Sequence, residues 1–357
     1  MHIEKIKIEN LRNIECAEFS PHQQLNIILG KNGAGKTTLL EAIYLLARAR
    51  TFRQQTRGQL LKEGTDQLNL FATLKGVDHS RHQIGLQKTV ASTFIRKDGE
   101  NLKKLSDLAK TIPLTIITPN IQRIIEEDPK HRRRLINWGL FHVEHEYGEI
   151  ANRYKQALLQ RNNALRGSMD QIDVWDRQLI ALGEEVDSRM REYTELWNRN
   201  IEALVNSTEL IHPVSIELKQ GWKEEYTLAE ALQRNRKIDR ERGFTSCGPQ
   251  RSDLRVLQDG RLIRNRYSRG EAKMTAIIML LAQTKMIGVK TGESPVLLVD
   301  DLHAELDSDH YHQMLSVITQ QKLQSFITAL SSDPLKNFNG SKDFGLFHVE
   351  HGEVTTG

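Results

Sequence analysis

The stretch "GKNGAGKTT", Gly30–Thr38, decides how the rest of the chain is read. It fits G-x-x-x-x-G-K-[ST], with Gly30, Gly35, Lys36 and Thr37 at the fixed positions. "LNIILG" before it reads as a buried strand, and "LLEAIYLLARA" after it reads as a helix, which is the context the pattern requires. Glycines let successive backbone N–H groups turn inward around phosphate oxygens, and the helix N-terminus adds a favourable dipole. Gly30, Lys31, Asn32, Gly33, Ala34, Gly35, Lys36, Thr37 and Thr38 are therefore the candidate nucleotide-binding residues. Lys36 would reach the β/γ-phosphates of ATP, and the Thr37 hydroxyl would ligate Mg²⁺.

Such a loop needs an acidic residue at the tip of a neighbouring strand. "VLLVDD" supplies it, with four apolar residues and then Asp300 and Asp301. Asp300 is placed as the metal carboxylate, and Asp301 would polarise or position the attacking water. Asp301 and Lys36 are the candidate catalytic residues, and Thr37 and Asp300 the metal ligands.

A second anion site is suggested by "YSRGEAKMTAIIMLLAQ", which starts at Tyr267. The Ser268 hydroxyl, the Gly270 N–H and a helix N-terminus would together hold phosphate. Ser268 equally suits an ordinary N-cap on a core helix. Position favours the anion site, because the cluster precedes the "VLLVDD" strand and "HAELDSD" follows it. P-loop, signature, Walker B and D-loop occur in the order of a composite ATP-binding-cassette (ABC) site, in which the signature of one chain caps the nucleotide of another.

The chain has 357 residues, of which 38% are hydrophobic and 27% charged, with a net charge of +4. It can bury a proper core, and its near balance of charge means that any case for DNA rests on local patches. Two cysteines, Cys16 and Cys247, exclude a disulfide framework and a Cys-based zinc site, and a reducing cytosol is the simplest reading. "MHIEKIKIENLRNIE" lacks the apolar core of a signal peptide, and the apolar run "AIIMLLA" is short for a bilayer. A cytoplasmic protein with no membrane partner is expected.

"HIEKIKI", "AEFSP" and "LNIILG" read as strands. Short alternating runs from about Leu68 to Lys103 read as β-strands with turns, and "PLTIITP" as a short buried strand. From roughly Lys130 to Leu210 long helices follow without proline. Tyr147, Ile150, Tyr154, Ala157, Leu158 and Leu165 form one apolar stripe. Trp175, Leu179, Leu182, Val186, Met190, Tyr193 and Trp197 form another. This reads as a helical hairpin, or as two core helices of one domain. "PVSIELKQG" and "SDLRVLQDGRLIRN" read as strands, and "SPVLLVDD", a helix near His310–Gln320 and "SFITAL" restore an α/β rhythm. The fold expected is an α/β ABC-type P-loop ATPase head with an antiparallel β subdomain and a helical insert. Residues 1–129 would form the first lobe, 130–245 a mostly helical second domain, and 246–357 the completion of the ATPase.

Nearly end to end, the sequence resembles the RecF family of bacterial DNA replication and repair ATPases, relatives of the SMC-type ABC proteins. "IENLRNIE" is similar to the family's opening strand and Leu-Arg-Asn turn, and "NGAGKTTLLEAIYLLARARTFR" to its P-loop helix and following arginines. "ITP" with "DPKHRRRLINWGLFH", the box "GPQRSDL", the signature "YSRGEAK" and "VDDLHAELD" complete the resemblance. It implies that Arg12 of the opening turn joins the nucleotide site. It implies an ATP-dependent homodimer that binds duplex and gapped DNA. It also implies work with RecR, and indirectly RecO, to load RecA at single-strand gaps, and a need in SOS induction. Tyr267 and Glu271 stand where Leu and Gln are usual, Asp128 where Gly is, and Asn137 where Asp is. Glu271 puts a carboxylate near a neighbour's γ-phosphate, which counts against tight sandwiching. Asp301 is shorter than the Glu of transporters, and no switch histidine follows "SFITAL", so weak ATPase activity serving as a switch is expected.

Candidate DNA contacts are Arg50 and Arg53 after the P-loop helix, Arg132, Arg133 and Arg134, and Arg234, Arg236, Lys237, Arg240 and Arg242 on the helix-like "LAEALQRNRKIDRER". Charge runs also simply solvate helix faces, and Arg132–Arg134 could brace the ATP site instead. Among rivals, a transporter subunit would place Lys36 and Ser268 much closer together. A structural SMC clamp would need far longer helical arms. A P-loop kinase would leave the signature and D-loop unexplained. An ABC subunit of another DNA-clamp or transport assembly remains the alternative.

Overall fold

The computed structural model describes residues 1–53, 60–208, 212–302, 306–330 and 344–357. They form two compact units, residues 1–121 with 284–357, and residues 122–283.

The first unit opens with β1 (His2–Leu11), in which Ile3, Ile6 and Ile8 are buried while Lys5, Lys7 and Glu9 point the other way. β1 pairs antiparallel with β2 (Ile14–Phe19) and with β4 (Gln67–Lys75). β5 (Arg81–Thr89), β6 (Thr93–Lys97) and β7 (Glu100–Asn101) extend this to a six-stranded sheet in the order β2-β1-β4-β5-β6-β7. Along β4, Leu68, Leu70, Ala72 and Leu74 are buried and the residues between them are not, as the two-residue period of a half-covered sheet demands. That inner face shares a core with Leu39, Leu40, Ile43 and Leu46 of α1 (Lys36–Arg48).

The strand before the P-loop, β3 (Leu25–Leu29), belongs to a second sheet with β8 (Leu114–Ile117), β12 (Val296–Val299), β13 (Ser325–Ala329), β14 (Gly345–Glu350) and β15 (Glu353–Thr356). Its order is β15-β14-β3-β13-β12-β8, parallel from β14 to β8, with β15 joined antiparallel. β3, β12 and β13 are buried throughout, which is why they do not alternate, although Asn26 and Thr328 interrupt the apolar runs of β3 and β13. α2 (Leu105–Thr111) precedes β8, and α9 (Ser308–Gln320) links β12 to β13. The sequence placed the acidic strand beside the P-loop strand, but β13 lies between them. Ligands of open parallel sheets sit beyond the carboxyl ends of the strands, and here β3, β13 and β12 all end on the same side.

The second unit contains α3 (Arg123–Glu126), α4 (Pro129–Val143), α5 (Tyr147–Arg166) and the 37-residue α6 (Ile172–Thr208). α5 and α6 pack on the two stripes read from the sequence, and Trp197 is fully buried. β9 (Ser215–Lys219), β10 (Asp253–Gln258) and β11 (Arg261–Leu262) form a three-stranded antiparallel sheet, and α7 (Leu228–Arg242) lies between β9 and β10 in sequence. α8 (Arg269–Thr291) begins in this unit and ends in the first.

The sequence reading put breaks near residues 129 and 245, whereas the compact units divide at 121/122 and 283/284. Bonds between distant segments explain the difference. Arg132 holds Asp253 through two parallel hydrogen bonds, 2.7 and 3.1 Å, and Arg133 donates to the Ser252 carbonyl. The Trp197 indole donates to the Met279 carbonyl, and Gln283 donates to the Tyr193 hydroxyl and the Leu135 carbonyl. By length and composition the 23-residue α8 could cross a bilayer, but 83% of its most apolar window is buried within the protein, the mark of a core helix.

Candidate nucleotide site

The loop between β3 and α1 has the shape its glycines require. Gly33 and Gly35 have φ of 80° and 122°, which side chains strain to adopt. Gly30 is constrained differently, since a Cβ there would lie 2.4 Å from the Val349 carbonyl oxygen of β14. Two elements back the loop at Ala34, whose carbonyl accepts from Asn13 Nδ2 at 2.9 Å and from the Gly352 N–H at 3.0 Å. Thr38 donates to Asn13 Oδ1 at 3.2 Å, so the Asn13 amide ties the β1–β2 turn to the loop and α1, and the Ala34 carbonyl ties the loop to the β14–β15 turn. Gly352, at φ 88°, admits no side chain: a Cβ would stand 2.1 Å from the Asn13 carbonyl oxygen.

Lys36 is the first residue of α1, and its ammonium donates to the carbonyls of Gly30 at 2.7 Å and Lys31 at 3.0 Å. Burial lowers its pKa, opposed by the charges of Asp301 and Asp300. Thr37 donates to Asp300 Oδ1 at 2.9 Å, and Thr328 of β13 donates to the same oxygen at 3.1 Å. Asp300 is 7% exposed. Burial raises its pKa above the usual carboxylate range, against the lowering effect of the two threonine hydrogen bonds and of Arg53. Asp301 has φ 53°, and its N–H donates to Thr328 Oγ1 at 2.9 Å. Thr328 thus fixes both aspartates; the sequence reading missed it because strand order, not local pattern, brings it there.

Arg12, at φ 52° in the β1–β2 turn, holds the fully buried Glu41 of α1 through both of its carboxylate oxygens. The Thr51 hydroxyl donates to Glu41 as well. Glu41 gave no signal in the sequence, where it reads as a polar residue in an amphipathic helix. Arg12, Asn13, the loop, Arg53, both aspartates and Thr328 line one cavity of about 250 Å³. Arg53, expected on a DNA surface, lies here instead, with its pKa lowered first by burial and raised by Glu41 and Asp300. Arg50 is exposed.

This donor set fits a magnesium triphosphate. A hydroxyl and a carboxylate are hard oxygen ligands, and Mg²⁺ characteristically takes few protein ligands beside phosphate and water. Among the described residues no group of three or more His, Cys, Asp and Glu side chains could hold a metal. A Cβ built on Gly33 would meet nothing within 4 Å, so the outer side of the loop is open to a ligand.

The signature residues stand in the second unit. Ser268 is exposed and caps α8. Its N–H and hydroxyl donate to Glu271 Oε2 at 2.8 and 2.7 Å, and the Glu271 N–H donates to Ser268 Oγ at 3.3 Å. This is a capping box, so the N-cap reading holds locally. Gly270 lies in the first turn of α8, half-buried. His303, Ala304 and Glu305 of the D-loop lie outside the described residues; Asp307 caps α9 by accepting from the His310 N–H at 2.9 Å.

The basic clusters divide. Arg132 is buried, bonded to Asp253 and to the carbonyls of Ile124, Ile125 and Glu127, and cannot offer itself to DNA; it braces the second unit, not the ATP site. Arg133 is half-buried and Arg134 exposed. On α7, Arg234, Lys237, Arg240 and Arg242 are exposed, while Arg236 is held by Asp173 and Asp176 at 2.5 and 2.6 Å. Arg234 stacks over the Tyr226 ring, 4.3 Å from its centroid.

The model of the RecF/RecN/SMC N-terminal domain matches residues 2–355. The DNA replication and repair protein RecF of Shewanella oneidensis is 33% identical over 358 residues, covering 99% of each chain. The chain belongs to the RecF family. Another member, RecF of Chromohalobacter salexigens, is 33% identical over 362 residues and covers all of both chains. The RecF-ATP structure of the recombination mediator protein in the RecFOR pathway superposes with a TM-score of 0.86 at 24% identity, over 99% of this chain and 97% of that one. An Smc head bound to the C-terminal winged-helix domain of ScpA gives a TM-score of 0.62 at 15% identity, over 100% of this chain and 97% of that one. The fold is that of RecF and the SMC heads, the ABC-type ATPase expected from the motif order, in a family of DNA replication and repair proteins.

Proposed function

We propose that this RecF-family chain is an ATP-gated DNA-binding protein whose nucleotide controls pairing of two copies. The observation that carries the reading is the hydrogen-bonded set Thr37–Asp300–Thr328, which holds a metal-ligating hydroxyl and carboxylate together at the mouth of the P-loop. Bound Mg²⁺–ATP supplies the γ-phosphoryl group and the negative charge that a second copy can grip. Lys36 would turn its ammonium from the loop carbonyls to the phosphates, Thr37 and Asp300 would hold the metal, and Asp301 would position water. Ser268 and Gly270 of the second copy close on the phosphates in a two-fold arrangement. Hydrolysis is slow and serves release. Exposed cations, Arg50, Arg134 and those of α7, meet the DNA backbone. Family membership supports the wider role: gapped DNA as the target, RecR and indirectly RecO as partners, RecA loading and SOS induction as outcomes, and the cytoplasm as the place.

Light scattering with and without ATP tests the core of this reading. The wild type should double its mass with Mg²⁺–ATP, and Lys36→Ala should remain monomeric and lose ATP binding. ATP affinity retained in Lys36→Ala would place the nucleotide elsewhere.

A further inference from the structure

The outward face of the six-stranded antiparallel sheet carries a groove of about 670 Å³ that the nucleotide site does not use. Strand register builds its floor. Lys7 pairs with Phe71, Phe71 with Gly85, Gly85 with Arg96, and Arg96 with Asn101, one row across five strands. The next row runs Glu9, Asn69, Gln87, Phe94. Phe94 is 59% exposed, while its neighbour Ile95 faces the core. Phe71 also lines the groove and is half-exposed. The two rings stand two strands and one row apart, roughly 12 Å, and Gly85 beside Phe71 leaves the floor open, since a Cβ there would meet nothing within 4 Å.

The surrounding chemistry is specific. Asn69, Gln87 and Asn101 present amides, each offering donors and acceptors. Asn69 donates to Glu9 at 3.0 Å, Gln87 to Gln67 at 3.0 Å, and Arg96 to Asn101 at 3.2 Å, which orients them. The cations of this face include Lys7 and Arg96, and Lys103 and Lys104 lie exposed just beyond β7. Lys7 pairs with Glu9 at 2.8 Å, but both are partly exposed, and such solvent-screened pairs yield to a phosphate. Exposed rings for stacking, amides for base edges and flanking cations for the backbone are what single strands require. A duplex, whose bases are already stacked, cannot use the rings.

We propose that this sheet face is a platform for single-stranded nucleic acid, with bases stacked on Phe94 and Phe71 and phosphates met by Lys7 and Arg96. Charge complementarity and the paired rings select this occupant over a protein, which would favour a continuous apolar patch. The site is independent of the nucleotide and of dimerisation.

Anisotropy of labelled oligothymidylate, an abasic strand of the same length and a duplex, with the full-length protein and no ATP, tests it. The wild type should bind oligothymidylate more tightly than the abasic strand. Phe94→Ala and Phe71→Ala should each weaken oligothymidylate binding about tenfold, near the weight of one stacked base, with duplex binding and ATP-driven dimerisation unchanged. Phe94→Tyr should retain affinity, because it keeps the ring. Unchanged oligothymidylate affinity in both alanine variants, or equal wild-type affinity for the abasic strand, overturns the proposal, and a face made for a protein would give the first result. Failed dimerisation with these effects intact would overturn the ATP reading alone.

Discussion

Asp300, the carboxylate proposed to hold Mg²⁺, sits in a place that resists ionisation. Burial holds its pKa above the ordinary value, so the folded state binds its proton more tightly than the unfolded state does. Stability therefore falls as pH rises from the ordinary carboxylate value through the raised one, and above that window the ionised group is a standing cost. Asn in its place still accepts from Thr37 and Thr328. Asp300→Asn should raise the melting temperature at pH 7 by about 2–4 °C while removing Mg²⁺-dependent nucleotide binding; calorimetry and titration read the two effects, and a lowered melting temperature would contradict the cost assigned to burial. Asp301 is different. Its φ of 53° suits Asn as well as Asp. Asp301→Asn should melt like the wild type, bind ATP, and turn it over about 100-fold more slowly, with a longer-lived dimer; unchanged turnover would remove Asp301 from water positioning. Lys36, Thr37, Asp300 and Asp301 were legible in the sequence because P-loop chemistry imposes spacing on neighbours. Thr328, Asn13 and Glu41 were not, because each reaches the site through strand order or a helix register that a single sequence does not display.

Periodicity made most elements legible: alternation gave β1 and β4, and the two stripes gave α5 and α6. The grouping of elements was not, because Arg132–Asp253 and Trp197–Met279 join residues far apart in the chain. The N-terminus of α8 shows how one element serves two ends. Its capping box needs a side chain at Glu271 that can accept from the Ser268 N–H, and Gln does this as well as Glu. Glu271→Gln should therefore leave the melting temperature unchanged within about 1 °C. It should also tighten ATP-driven dimerisation, because the proposed dimer would set this charge against the partner's phosphates. Sedimentation with and without ATP decides: unaltered dimerisation would mean that the carboxylate does not meet the partner's nucleotide. Ser268→Ala, by contrast, loses the cap at about 1 kcal/mol.

Across the whole molecule a net charge of +4 gives little general attraction to DNA, so affinity must come from cations aligned on one surface. Lys237 and Arg240 are exposed on α7, whereas Arg132 and Arg53 are engaged elsewhere. Reversing Lys237 and Arg240 to Glu should flatten the log–log salt dependence of duplex binding by about 0.9 for each phosphate no longer neutralised, without changing ATP affinity. An unaltered slope would remove α7 from the DNA surface. The turn at Gly352 backs the P-loop from a segment far downstream of it in the sequence. The ribosome delivers Lys36 long before it delivers Asp300, Thr328 or Gly352. A nascent polypeptide that has exposed its glycine-rich loop still lacks the carboxylate, the hydroxyl and the turn that complete it. If ATP gates pairing as proposed, nucleotide affinity is acquired late in synthesis, and an incomplete chain would not load ATP and pair prematurely with a neighbour on the same message.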